Sequence, residues 1–177
     1  MSACGVTPHL TYTVSVDTPA LRAEKASAHI EACPATTTAP TGQLPKVTLP
    51  CLGGGRSVAL ASLRGPMVIN LWAQTCAPCR TEMPNIEAFA KRFAGRVAVL
   101  GVDWGPQEDP GLALGFAKSV GATYPMVADY TPSIQAVALP TTILIDTHGR
   151  IVYRQPGAFG SEAELAHLVA QYLGVKP

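Results

Sequence analysis

Short, nearly unbroken apolar runs alternate with stretches in which apolar residues return every three or four positions, and this alternation begins near Lys46. Runs of the first kind suit strands buried in a sheet; stretches of the second suit helices with one covered face. KVTLPCL and SVALASL flank Gly53-Gly54-Gly55 and predict a hairpin. MVINLWA, residues 67–73, predicts a central strand buried on both faces. Met83, Ile86, Phe89, Ala90 and Phe93 then mark the core side of a helix that begins near Cys76. Residues 96–104 predict the next buried strand, and Asp109-Pro110 opens a helix with Leu112, Phe116 and Val120 on its stripe and Gly121 at its close.

Strand, helix and strand in that order make a parallel crossover unit. Further on, residues 125–128 predict a short strand and residues 132–137 a helical turn. TTILID and RIVYR predict an antiparallel pair joined at Thr147-His148-Gly149. Ser161 and Glu164 form a capping box ahead of Leu165, Leu168, Val169, Tyr172 and Leu173, an amphipathic helix that would cover one face of the sheet. The expected architecture is an α/β domain over residues 46–177, with a central mixed sheet flanked by helices. Residues 1–45 are rich in Thr, Ala and Pro and read as a partly ordered tether, with a short helix over residues 19–30.

Charge changes this picture by subtraction. Among 177 residues 14% are charged, the net charge is +1, and there is no run of like sign. Neither nucleic acid nor an anionic membrane finds an electrostatic footprint here. No window approaches 18 uninterrupted apolar residues, so no segment reads as a membrane span.

The chemistry concentrates in WAQTCAPCRTEMP, residues 72–84. Haem attachment through Cys76 and Cys79 needs histidine next, where Arg80 stands. Zinc needs two more ligands, from Cys33, Cys51 or the scattered His9, His29, His148 and His167, and none has the usual spacing. A redox pair fits the setting better, because Cys76 falls between a buried strand and a helix start. Free N–H groups and the helix dipole there stabilise a thiolate. Such placement lowers a cysteine pKa from about 8.5 to between ~3.5 and ~7.5. Cys76 is then the nucleophile, and Cys79, one turn further in, the shielded resolving thiol. An inert structural disulfide is the competing reading.

Together these stretches resemble the thioredoxin-like proteins of the TlpA/ResA type, extracytoplasmic thiol-disulfide oxidoreductases, over about residues 46–175. VINLWAQTCAPCRTEMP is similar to the family's strand, active-site turn and proline-kinked helix, and YPMVAD with ALPTTILIDTHGRIV to its later strands and cis-proline loop. The resemblance implies a thioredoxin fold and dithiol-disulfide exchange with protein partners, with no cofactor and no metal. It carries the redox pair onto Cys76 and Cys79, the helix-kinking proline onto Pro84, and the cis-proline onto Pro140. Only about 5–6% of X-Pro bonds in folded proteins are cis, so that geometry at Leu139-Pro140 is expected from the resemblance alone. Thr75, Ala77, Pro78, Leu139 and Pro140 would line the substrate groove, where Leu139 offers its backbone to an extended peptide. Trp104, at a strand end, either lines this groove or packs, and Met83 belongs to the core.

Glu82 matches an acidic residue of the same type. It would shuttle protons for the thiols, and its charge would move the pair toward a more reducing potential. Two residues depart from the pattern: Asn70 stands where thioredoxins carry a buried aspartate, and Thr75 where tryptophan is common. Outside the motif, Cys33 and Cys51 would form a structural disulfide in an oxidising compartment, joining the tether to the first strand. Met1-Ser2-Ala3-Cys4-Gly5 resembles the end of a bacterial lipoprotein signal, with Cys4 as the lipid attachment site. That implies a place on the outer face of the cytoplasmic membrane. Partners implied by the resemblance are protein thiols or disulfides, apocytochrome c among them, and a membrane redox donor or acceptor. The rival from another class is a non-catalytic thioredoxin-fold module holding a metal or a partner. A peroxide-reducing thiol enzyme would need a threonine and a proline ahead of a lone cysteine, and these are absent.

Overall fold

The computed structural model describes residues 14–106 and 109–177. Gly53, Gly54 and Gly55 all adopt left-handed backbone, with φ of 71°, 87° and 111°. They turn Thr48–Leu49 (β1) back toward Val58–Ala59 (β2) as an antiparallel pair. Met67–Trp72 (β3) follows and is buried at all six positions, as its apolar run requires. Ala98–Trp104 (β4) lies parallel to it, with Asn70 opposite Gly101, and Met126–Asp129 (β5) lies parallel beyond. On the other side Thr141–Ile145 (β6) pairs antiparallel with β3, and Ile151–Pro156 (β7) with β6. The sheet order is therefore β5-β4-β3-β6-β7, mixed and centred on β3.

Four helices cover this sheet. Pro19–Ser27 (α1) starts at the Thr18 cap and stops short of residue 30, because Ala28 and His29 leave the helical path and His29 takes a φ of 54°. Ala77–Arg92 (α2) starts at Cys76 and contains Pro84. Pro110–Ser119 (α3) is capped by Asp109, whose carboxylate accepts from Gly111 and Leu112 N–H at 2.8 and 3.0 Å. Its buried stripe is Pro110, Ala113, Leu114, Phe116 and Ala117, which keeps Phe116 of the expected stripe but not Leu112. Leu112 is 65% exposed and Leu114 fully buried. Leu114 and Phe116 share the inward face with the smaller Pro110, Ala113 and Ala117, and the bulky Leu112 marks the other side. Glu162–Leu173 (α4) starts at Ser161, which accepts from Glu164 N–H at 3.2 Å. The Glu164 carboxylate reaches the Gly160 N–H at 2.9 Å rather than that of Ser161.

Residues 132–137 form no helical turn. The Asp129 carboxylate captures the N–H groups of Ser133 and Ile134 at 2.9 to 3.1 Å, a local bond that competes with helix formation.

Alternation along β3 divides the core. Val68 and Trp72 join the buried residues of α2, α3 and α4. Ile69 and Leu71 face Leu44, Leu49, Val58 and Leu60, supplied by the chain before β3. The stretch read as a tether thus runs along the domain from residue 14 to 45. Poor in large apolar residues, it is held by buried Val16, Ala28, Ile30 and Leu44 together with hydrogen bonds. Gly42 N–H donates to the Ala61 carbonyl at 2.8 Å, Gln43 N–H to that of Gly149 at 2.9 Å, and Ile151 N–H to the Gln43 amide oxygen at 2.8 Å. Residues 1–13, Cys4 and His9 among them, lie outside the described residues.

Candidate active site

β3 delivers the chain to Ala73, and Cys76 N–H donates to the Ala73 carbonyl at 3.0 Å, closing a tight turn before α2. Cys76 is the N-cap: its sulfur accepts from Cys79 N–H at 3.2 Å. Proline and alanine within the first turn fit this start, since an N–H lost to proline there has no helical partner to lose. Cys76 and Cys79 are joined, with Cα atoms 5.3 Å apart. Cys76 keeps partial exposure and Cys79 has none. An incoming thiol or disulfide therefore meets Cys76.

Around the pair, Thr75, Ala77 and Pro78 are exposed, and Leu139 is half-buried above buried Pro140. The Leu139-Pro140 bond is cis, and the Pro140 carbonyl accepts from Gly157 N–H at 2.8 Å. Arg80 places its guanidinium 4.6 Å from the centre of the Phe116 ring, which stacks on Trp72. The residue that excludes haem thus anchors α2 to α3. Trp104 donates from Nε1 to the Ile134 carbonyl at 2.8 Å and packs with the core on the other face of the sheet from Cys79. Met83 is fully buried. Among the described residues no group of three His, Cys, Asp or Glu is placed to hold a metal.

Glu82, one turn beyond Cys79, has no solvent exposure. Asn70 Nδ2 donates to one carboxylate oxygen at 2.8 Å and Phe159 N–H to the other at 3.1 Å. Burial pushes its pKa up to about 7, against the pull of these two donors. A carboxyl poised there exchanges protons readily at neutral pH. Alternation along β3 puts Asn70 on the helical side between Val68 and Trp72. Its Nδ2 also lies 3.3 Å from the Thr142 hydroxyl, while its Oδ1 has no hydrogen-bond partner among the described residues. An amide can turn its donor to a carboxylate or its acceptor to a carboxylic acid. Asn70 therefore suits both protonation states of Glu82, a role that reading it as a missing acid overlooks. The Phe159 N–H, 77 positions from Glu82 in sequence, left no signal in the sequence.

Cys33 and Cys51 are also joined, 18 positions apart, with Cα atoms separated by 5.9 Å. They lie among the buried residues on the opposite face of the sheet from Cys79.

Residues 40–154 match the AhpC/TSA family. Thioredoxin-like protein YneN of Bacillus subtilis is 32% identical over 114 residues, covering 62% of this chain and 66% of that one. Thiol-disulfide oxidoreductase ResA of Geobacillus thermodenitrificans is 32% identical over 121 residues, covering 64% and 68%. The chain spans between about half and two thirds of the length of most of the curated relatives it matches. The crystal structure of a DsbF homologue from Corynebacterium diphtheriae superposes with a TM-score of 0.61, covering 80% of this chain and 91% of that one. At 23% identity it speaks for the fold alone. That fold is the thioredoxin fold, and the chain belongs to the AhpC/TSA family, with ResA and YneN among its thioredoxin-like relatives.

Proposed function

We propose that this protein is an extracytoplasmic thiol-disulfide oxidoreductase that exchanges disulfides with protein partners through Cys76 and Cys79. The observation that carries the reading is the asymmetry of the pair: a partly exposed sulfur at a helix start, a buried one a turn inside, and a buried carboxyl near neutrality beyond it. In the reducing direction the Cys76 thiolate attacks a substrate disulfide. One substrate sulfur leaves as a thiolate and the other stays bound to Cys76. Cys79 gives its proton to Glu82 and attacks the Cys76 sulfur, releasing the second substrate thiolate and closing Cys76–Cys79. Reversal oxidises the substrate.

Thr75, Ala77, Pro78, Leu139 and Pro140 form the groove in this reading. The Cys33–Cys51 bond supports a place outside the cytoplasm, where such bonds persist. Cys4 would then be the lipid anchor, and reduction of apocytochrome c or correction of disulfides in exported proteins the task. A Cys79→Ser protein should accumulate mixed disulfides with exported proteins through Cys76, visible on non-reducing gels; their absence sinks the proposal. The potential of the pair assigns direction: near −270 mV it is a reductant, near −120 mV an oxidant, about as for thioredoxin and DsbA.

A further inference from the structure

The surroundings of Cys33–Cys51 differ from those of an inert staple. Cys51 Sγ accepts a hydrogen bond from the Lys25 ammonium at 3.0 Å, and the same Nζ donates to the Gly54 carbonyl at 3.0 Å. Lys25 is 9% exposed. Among the described residues no carboxylate forms an ion pair with it. Asp17 is engaged by Arg22 at 2.5 Å. Glu24 lies toward Gly111 and Gly115 of α3. Lys118 of α3 donates to Ser27, and Asp129 of β5 holds Ser133 and Ile134. Burial pulls Lys25 below its ordinary pKa, and Asp17 opposes this from a distance. A buried ammonium facing a neutral disulfide lacks the counter-ion that would offset its desolvation.

The two sulfurs are not equivalent. Cys33 Sγ lies 3.1 Å from the Met126 carbonyl oxygen, an acceptor for a thiol and a poor neighbour for a thiolate. Cys51 Sγ lies against a cation. Cys33 is 7% exposed and Cys51 1%, so Cys33 is the less deeply buried of the two.

We propose that Cys33–Cys51 is a second redox-active disulfide, reducible in the folded protein by a dithiol, with Cys51 leaving as a thiolate paired to Lys25. The dithiol's first sulfur, as thiolate, bonds to Cys33 Sγ; the Cys33–Cys51 bond breaks and its electron pair goes to Cys51 Sγ. The second sulfur, deprotonated, attacks the first, and Cys33 leaves to take a proton from water and donate to the Met126 carbonyl. The reductant departs as its disulfide, and two electrons have entered the protein. A leaving thiol of lowered pKa speeds the first step. Residues 14–45 then lose their covalent tie to the hairpin.

The test uses the full chain carrying Cys4→Ser, Cys76→Ser and Cys79→Ser, equilibrated with reduced and oxidised dithiothreitol and read by mass after alkylation. Lys25→Met should make the remaining disulfide harder to reduce, lowering the ratio of reduced to oxidised protein at least tenfold, about 30 mV for this two-electron couple. If Lys25 only packs, its loss loosens the segment and makes reduction easier or leaves it unchanged; either result overturns the proposal. A second measurement keeps Lys25 in place. In the reduced protein, Cys51 alkylation should reach half its maximal rate below the ordinary cysteine pKa of about 8.5. A half-point at or above that value also overturns it.

Discussion

The two disulfides lie on opposite faces of one sheet, and their Cα separations of 5.3 and 5.9 Å are nearly equal. Their settings separate them. Cys76–Cys79 closes a loop of three positions at the mouth of a helix, with one cysteine partly exposed and a protonatable carboxyl a turn below. Cys33–Cys51 spans 18 positions, ties a hydrogen-bonded segment to a hairpin, and has an ammonium beside it in place of a carboxyl. Function is therefore read from the groups around each pair, since the Cα separations are nearly equal.

The largest effect should come from the sulfurs themselves. Cys76→Ser should cut turnover of a small peptide disulfide by more than about a thousandfold, as loss of a nucleophile does. Paired Cys33→Ser and Cys51→Ser substitutions should keep that turnover while lowering stability by about 3 kcal/mol, the entropy of closing a loop of this length. Urea unfolding and a turnover assay on the same samples check both halves. Equal loss of turnover from the two pairs would erase the distinction.

Glu82 comes next. Its pKa of about 7 lies above its ordinary 4.5, so the folded state holds its proton more tightly than the unfolded chain does. The stability this gives is complete below pH 4.5 and is lost as pH rises through 7. A shift of this size corresponds to about 3 kcal/mol. Glu82→Gln cannot ionise, so relative to the parent it should gain up to that amount between pH 4.5 and 8. Urea midpoints of the oxidised proteins at the two pH values measure it, and a constant difference contradicts it. The pH profile of Cys76 alkylation in the reduced protein should lose an inflection near 7 in the same variant.

Much of this contrast was legible in residue order. The run through β3 had to be buried, and a cysteine between a buried strand and a helix had to meet free N–H groups. Failures came where composition misled or where contacts were remote. Leu112 drew the α3 stripe partly to the wrong side, because the buried face pairs Phe116 with Leu114 and small residues that carry little hydropathy signal. Asp129 took the N–H groups that a helical turn over residues 132–137 would have used. Residues 14–45 read as a partly ordered tether, and hydrogen bonds such as that of Gly42 to Ala61, which tie them to the domain, leave no mark in hydropathy. Lys25 fell inside the short helix expected over residues 19–30, and nothing in sequence brings it to Cys51, 26 positions on. Glu82 was expected from the family resemblance, whereas its donor Asn70 was read only as an absence.

The smallest predicted effect tests that last residue. Asn70→Asp would set a second carboxyl within 2.8 Å of where Glu82 now accepts a hydrogen bond. Two acids at that distance share one proton, so their titrations split, one above and one below the present value. The upper inflection in Cys76 reactivity should rise by about one unit, worth about 1.4 kcal/mol, and alkylation of reduced Cys51, across the sheet, should keep its pH dependence. A Cys76 profile unchanged by Asn70→Asp would mean that the amide does not govern Glu82. A Cys51 profile that moves with it would mean that the two faces of the sheet are electrostatically one site, and the contrast between the disulfides would have to be drawn elsewhere.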